Sequence, residues 1–278
     1  MKQKKKRKIK YNIKLDIAFL IIIIACIGLI ISGYQIFNWY QDNNKVNKQV
    51  ELIEDKVEVK EVSDTEKTEL VNPVFSKKDP YWDYIKTKFI DVDLNDLRTI
   101  NPDVVGWLQV YGTNINYPVV QTTNNSYYLT HQLDKKKNSA GWVFMDYRNH
   151  VEEFDKNTII YAHGRVNNTM FGSLRKVITD SWYSNPKNYI VRMSTNYENT
   201  VWQVFSTYKI KTTSDYMDIM FNDDREYTDF LNMLKRRSVH NYNVDLTPSD
   251  KIITLSTCYD NNYKVVLHAK LIKREVIE

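Results

Sequence analysis

Cysteine is scarce in this chain. There are two in 278 residues, Cys26 and Cys258, and Cys26 lies inside an unbroken apolar run, so an intramolecular disulfide framework is excluded. No cluster of Cys, His and carboxylates has metal-ligand spacing, so no metal site is expected, and no other cofactor is called for. Residues 79–278 contain no internal repeat and no low-complexity tract. A basic run interleaved with aromatics, of the kind that grips nucleic acid, is also missing. The net charge of +5 does not supply one. Lys2, Lys4, Lys5, Lys6, Arg7, Lys8, Lys10 and Lys14 carry eight of the positive charges, and the remainder holds 31 basic against 34 acidic residues. The basic balance is a topology signal, and no nucleic-acid partner is expected.

What is present begins with a hydrophobic run. Ile17 to Ile31 contains no charged residue, and Ser32 to Tyr40 extends it to about 20 residues, enough to span a bilayer core. Trp39 and Tyr40 suit the far interface, and the basic cluster holds the near end in the cytoplasm. No A-x-A cleavage site follows. The expected organisation is a cytoplasmic basic segment (1–15), a transmembrane signal anchor (16–38), a polar stalk (39–78) and an extracellular domain (79–278). The stalk reading rests on Glu51, Glu54, Asp55, Glu58, Glu61, Asp64, Glu66 and Glu69, interleaved with lysines and with little apolar periodicity.

The outer domain reads as mainly β. Strands are expected at Trp107–Val110, Ile115–Val120, Gly141–Met145, Thr158–Ala162, Tyr189–Met193, Val201–Tyr208, Ile252–Thr257 and Lys264–Ile272. Short helices are expected at Asp83–Phe89 and Leu94–Ile100. A longer one at Asp224–Arg236 carries Tyr227, Phe230, Leu231 and Leu234 at helical spacing. Many short strands with a few helices between them point to a closed or nearly closed barrel. The 20 tyrosines are expected to pack in the sheets.

Two strand-like runs end on reactive residues. Lys251-Ile-Ile-Thr-Leu-Ser-Thr-Cys258 ends on the lone outer thiol, and Thr158-Ile-Ile-Tyr-Ala-His163 ends on an imidazole. Of five histidines, only His163 follows such a run and precedes a glycine. A thiol and an imidazole so placed suggest a nucleophilic site, because the base makes the thiolate. Taken singly, each has a bland alternative, a loop histidine and an inert buried cysteine. The order His before Cys argues against a papain-like arrangement. Asp260, two residues past the cysteine, invites a triad reading against that of a solvated loop acid.

Thr254-Leu-Ser-Thr-Cys258 matches the T-L-x-T-C signature of sortases. Asn101-Pro-Asp-Val-Val-Gly-Trp107, Asn116-Tyr-Pro-Val-Val-Gln121, Gly141-Trp-Val-Phe-Met-Asp146, Thr169-Met-Phe-Gly-Ser-Leu174 and Val266-Leu-His-Ala-Lys270 resemble class B sortase segments, so the likeness spans much of residues 95–272. The resemblance implies an eight-stranded sortase-type β-barrel with N-terminal helices and a long helix before the catalytic-cysteine strand. It implies a membrane-anchored cysteine transpeptidase of a Gram-positive cell. Such enzymes cleave a sorting motif similar to N-P-x-T-(N/G/S) or S-P-x-T-G after Thr and hold the product as a thioester. They pass it to a cell-wall peptide cross-bridge amine, or sometimes to a pilin lysine. The implied partners are surface proteins with a C-terminal sorting signal and the cross-bridge amine.

By motif, Cys258 is the nucleophile and His163 the general acid/base. Lys264 stands where the family has an arginine, and a lysine lacks the planar two-point contact of guanidinium. Arg165 is the alternative cation. Ala162 replaces a family glycine. Asn125, Leu129, Ser256, Thr212, Tyr216 and Met217 fall at positions resembling the family's substrate contacts. A non-catalytic binding or scaffold protein on a sortase-like barrel, and a cysteine hydrolase differing only in its acceptor, stand as competing readings.

Overall fold

The structure, a computed structural model, describes residues 13–73, 80–258 and 262–277, without the side chains of residues 13–15 and 258. The chain forms two compact units, Met1–Lys45 and Val46–Glu278. In the first, the apolar residues from Ile17 to Tyr40 are exposed along helix α1 (Ile13–Lys56). This helix is long and apolar enough to cross a membrane.

The second unit is a barrel. Its strands are β4 (Val104–Val110), β5 (Asn116–Val120), β6 (Phe144–Met145), β7 (Asn157–Ala162), β8 (Ile190–Thr195), β9 (Glu198–Lys211), β10 (Ile252–Cys258) and β11 (Tyr263–Val276). The ladder runs β10-β7-β6-β5-β4-β8-β9-β11 and closes through the β10–β11 pairing. Closure leaves no edge to protect along these eight strands. Inside lie Val119, Ile160, Trp202, Leu255 and Leu267, all with almost no exposure. Each of the eight expected strands is present, most extended by a few residues and β6 shortened to two.

Helix α5 (Asp224–Arg237) precedes β10 as expected. The Asp223 carboxylate caps it by accepting from Glu226 N at 2.8 Å. Tyr227, Phe230, Leu231 and Leu234 are buried, and Lys235, Arg236 and Arg237 face the negative end of the helix dipole.

Two expectations need correcting. The sequence predicts a polar stalk over residues 39–78, yet α1 continues to Lys56 with Val46, Ile53 and Val57 buried in the core and Val50 packed against it. Their spacing of four, three and four residues is that of one helical face. Strand β1 (Val59–Val62) then pairs with β3 (Phe89–Val92), and β2 (Thr68–Leu70) pairs with β11 beyond its β10 contact. Residues 74–79 lie outside the described residues. The second correction is the helix at Asp83–Phe89. Only α2 (Tyr81–Tyr84) is helical, and Phe89 opens β3, with Phe89 and Ile90 fully buried. Helix α3 (Asn95–Ile100) agrees with its expectation.

One buried polar group ties the closing strands. His268 of β11 faces Thr254 of β10 and is fully buried. The Thr254 hydroxyl donates to Asn157 Oδ1 at 2.6 Å, so its lone pair must receive the proton of His268 Nδ1 at 2.8 Å. His268 Nε2 then accepts from Tyr208 O–H at 2.8 Å. Burial, with the Arg237 charge adding to it, pushes the imidazole down to about 3. Its unfolded value is near ~6.5. Between the two the unfolded chain binds the extra proton, so this stability is complete above ~6.5 and is lost as pH falls towards 3. Melting curves of the wild type should show about 2 kcal/mol lost from pH 7 to pH 5 through this group, and His268→Gln should flatten that slope. An unchanged slope in the variant would remove His268 from the account.

Candidate active site

Strand register builds the site. Strands β7 and β10 are parallel, paired from Asn157↔Ile252 to Ala162↔Thr257. The next residue on each is His163 and Cys258, so the two arrive at the same rim on neighbouring strands, spaced about 4.8 Å apart. The Thr257 hydroxyl donates to Ala162 O at 2.8 Å and fastens that end. On the other side of β10, Cys258 pairs with Lys264 of β11. His163, Cys258 and Lys264 therefore stand in line across three strands. The Cys258 side chain and Asp260 lie outside the described residues.

A cleft of about 270 Å³ opens at this rim. His163 and Lys264 line it, both half-buried, with Ala162, Thr257 and Ser256 on its floor. Leu129, Phe144 and Met217 give it apolar walls, and Asn125 and Tyr161 add polar ones. His163 Nε2 lies 2.8 Å from Leu129 O. A carbonyl only accepts, so Nε2 carries a proton, and in the neutral ring Nδ1 holds the lone pair. That tautomer is fixed by the turn at Tyr127–Leu129, which in turn packs against Gly141.

Six of the nine residues expected from sequence thus come together: His163, Lys264, Asn125, Leu129, Ser256 and Met217. Cys258 joins them by register. Tyr216 stands one layer behind, fully buried, with its hydroxyl 2.8 Å from Ser256 Oγ. Thr212 does not line the cleft. Its N–H and hydroxyl both donate to Asn262 O, at 2.9 and 3.2 Å. Arg165 is likewise absent from the cleft lining, and its guanidinium reaches Ser139 O at 3.4 Å. Ala162 sits in regular strand, so the conformational freedom of glycine is not needed there. Among the described residues, no group of three or more His, Cys, Asp or Glu is arranged to hold a metal ion.

Sequence reading missed the support beneath the cleft. Asp146 is fully buried and accepts from Arg148, Asn125 and Tyr161. These residues are far apart in the chain and carry no periodic signal. Asp146 closes the Gly141–Asp146 segment, and nothing in that segment's sequence marks its role.

A closed barrel that brings a histidine and a cysteine to one rim, beside a cation, is the framework of a cysteine transpeptidase. The chain belongs to the sortase family, and to its sortase B branch: the sortase domain matches residues 108–272. It is 32% identical to Sortase B of Staphylococcus aureus over 255 residues, covering 90% of this chain and 95% of that protein. It is 38% identical to Sortase B of Listeria monocytogenes over 187 residues, 66% of this chain and 75% of that one. Among solved structures, sortase B from Bacillus anthracis superposes with a TM-score of 0.66 at 31% identity, covering 85% of this chain and 99% of the other. A Staphylococcus aureus sortase B–substrate complex gives 0.61 at 38%, covering 65% and 84%. The expected barrel and family are borne out, and the protein is a cysteine transpeptidase of cell-wall sorting.

Proposed function

We propose that this chain cleaves a sorting motif of the N-P-x-T-(N/G/S) or S-P-x-T-G kind after its Thr and joins the surface protein to a cell-wall peptide amine. The observation that carries this reading is the register line of His163, Cys258 and Lys264 across β7, β10 and β11. The Cys258 thiolate attacks the Thr carbonyl carbon, and the tetrahedral oxyanion forms at the β10–β11 rim beside Lys264. Collapse breaks the peptide bond, and protonated His163 gives its proton to the leaving amine. A thioester remains on Cys258. The acceptor amine then loses a proton to His163 as it attacks, and the thiolate leaves. Lys264 supplies positive charge to the oxyanion in both steps.

Ser256, Asn125, Leu129 and Met217 would contact the sorting peptide, with Tyr216 acting through Ser256. The apolar helix α1 supports a single-pass anchor whose basic end stays in the cytoplasm, with the barrel outside the cell.

Intact-mass spectrometry of the protein with N-P-x-T-G and S-P-x-T-G peptides, with and without an amine, tests this directly. The wild type should gain one acyl mass, discharged by the amine into a new product, and Cys258→Ala should gain none. A folded wild type with a reactive thiol and no adduct from either peptide would overturn the reading.

A further inference from the structure

Three walls of the cleft meet at one buried carboxylate. Asp146 follows β6 and has no exposed surface. Its Oδ1 accepts from Arg148 N at 3.0 Å and Arg148 Nε at 2.9 Å. Its Oδ2 accepts from Arg148 Nη2 at 2.8 Å, Asn125 Nδ2 at 2.9 Å and Tyr161 O–H at 2.9 Å. Asn125 belongs to the loop after β5 and Tyr161 to β7. Arg148 Nη2 also donates to Met217 O at 3.1 Å, in the segment between β9 and α5. Asn125, Tyr161 and Met217 all line the cleft. Gln121 Nε2 secures the centre by donating to Asp146 O at 2.8 Å and Asn149 O at 2.7 Å.

We propose that Asp146 is a positioning residue for the transpeptidation, setting the width of the sorting-peptide cleft by holding Asn125, Tyr161 and, through Arg148, the Met217 wall. This rests on the function proposed above. A buried charge costs desolvation energy, and replacing a buried ion pair as a whole by apolar residues of like size is often neutral or stabilising, so stability alone does not call for this one. The carboxylate instead uses five donors to fix three separate segments, and each segment presents a side chain to the cleft. Burial alone would raise its carboxyl, but the hydrogen bonds from Arg148 and Tyr161 outweigh it and hold Asp146 below the ordinary carboxylate range. It therefore remains an acceptor across the neutral range. The Met217 segment has a second anchor, Asn157 Nδ2, which donates to Tyr216 O at 3.2 Å and Asp218 O at 2.9 Å. Loss of the Arg148 contact should thus loosen the wall without unfolding it.

Arg148→Lys keeps the charge beside Asp146 but not the simultaneous reach to Met217 O. We expect KM for the sorting peptide to rise at least tenfold while kcat stays within about threefold. Peptide titration of the same change in a Cys258→Ala background should show a matching rise in Kd. Asn125→Ala combined with Arg148→Lys should raise KM by less than the product of the single effects, because both act through Asp146. If Arg148→Lys lost its native near-ultraviolet circular dichroism, Tyr161→Phe would serve instead, with a three- to tenfold rise in KM expected. An unchanged KM in the folded variant, or a fall in kcat alone, would overturn the proposal while leaving the sorting activity standing. A wild type that takes no acyl group from any peptide would overturn both.

Discussion

Lys264→Ala is expected to lower kcat/KM for the sorting peptide by about a hundred- to a thousandfold, the range seen when one oxyanion donor is removed. Lys264 pairs with Cys258 across β10 and β11 and lines the cleft. Among the described residues no second cation occupies the lining, and a guanidinium nitrogen of Arg165 lies 3.4 Å from Ser139 O. The loss should fall on kcat, since the charge matters most when negative charge has formed on the carbonyl oxygen. Alkylation of Cys258 by a small thiol reagent should continue in the variant, which separates a missing donor from a missing nucleophile. Lys264→Arg should match or exceed the wild type, because guanidinium offers two parallel donors where ammonium offers a point charge. Arg165→Ala should change kcat/KM by less than about threefold. Full activity in Lys264→Ala with none in Arg165→Ala would exchange their roles.

Gly141→Ala is expected to lower kcat about a hundredfold. Gly141 has φ +61°, which an L side chain adopts only at a cost. A β-carbon there would stand 2.3 Å from Tyr128 O, 3.0 Å from Leu129 O and 3.1 Å from His163 Cδ2. The first two are backbone atoms. Tyr128 O already accepts from Trp142 N at 2.8 Å and cannot retreat cheaply. Leu129 O is the acceptor that fixes the His163 tautomer. One methyl group therefore displaces both the imidazole and the carbonyl that orients it, and a misplacement of about 1 Å costs on the order of a hundredfold in rate. Thermal melting should show a loss of a few kcal/mol as well. Turnover kinetics of Gly141→Ala at wild-type level would show that the Tyr127–Leu129 turn adjusts and does not set the histidine.

The proposed pair, His163 and Cys258, is legible in the sequence because each ends a strand-like run. Thr158-Ile-Ile-Tyr-Ala and Ile252-Ile-Thr-Leu-Ser-Thr are dense in β-branched residues, and each stops on a residue that can act. Their meeting depends on β7 and β10 being parallel neighbours, which alternation in one strand does not encode. Residues 46–57 were misread because four apolar positions among lysines and glutamates form a narrow stripe, easily taken for a solvated segment. Phe89 was assigned to a helix because the short run before it has no stop signal, and tertiary pairing with Val62 decided the matter. Thr212 was placed in the cleft by likeness of position, whereas local bonding to Asn262 O turns it away. The Asp146 cluster unites residues 125, 146, 148, 161 and 217, and only folding reveals such a set.

The seam between β7 and β10 joins Ile252 to Asn157, 95 positions apart in the chain. A chain that emerges from its N-terminal end presents β7 long before its partner exists. Until then the apolar ladder edge of β7 is open to any passing strand, and the histidine has no thiol to serve. Catalytic competence is therefore among the last properties this protein acquires as it matures. A transpeptidase assembled in that order stays inert until its barrel has closed.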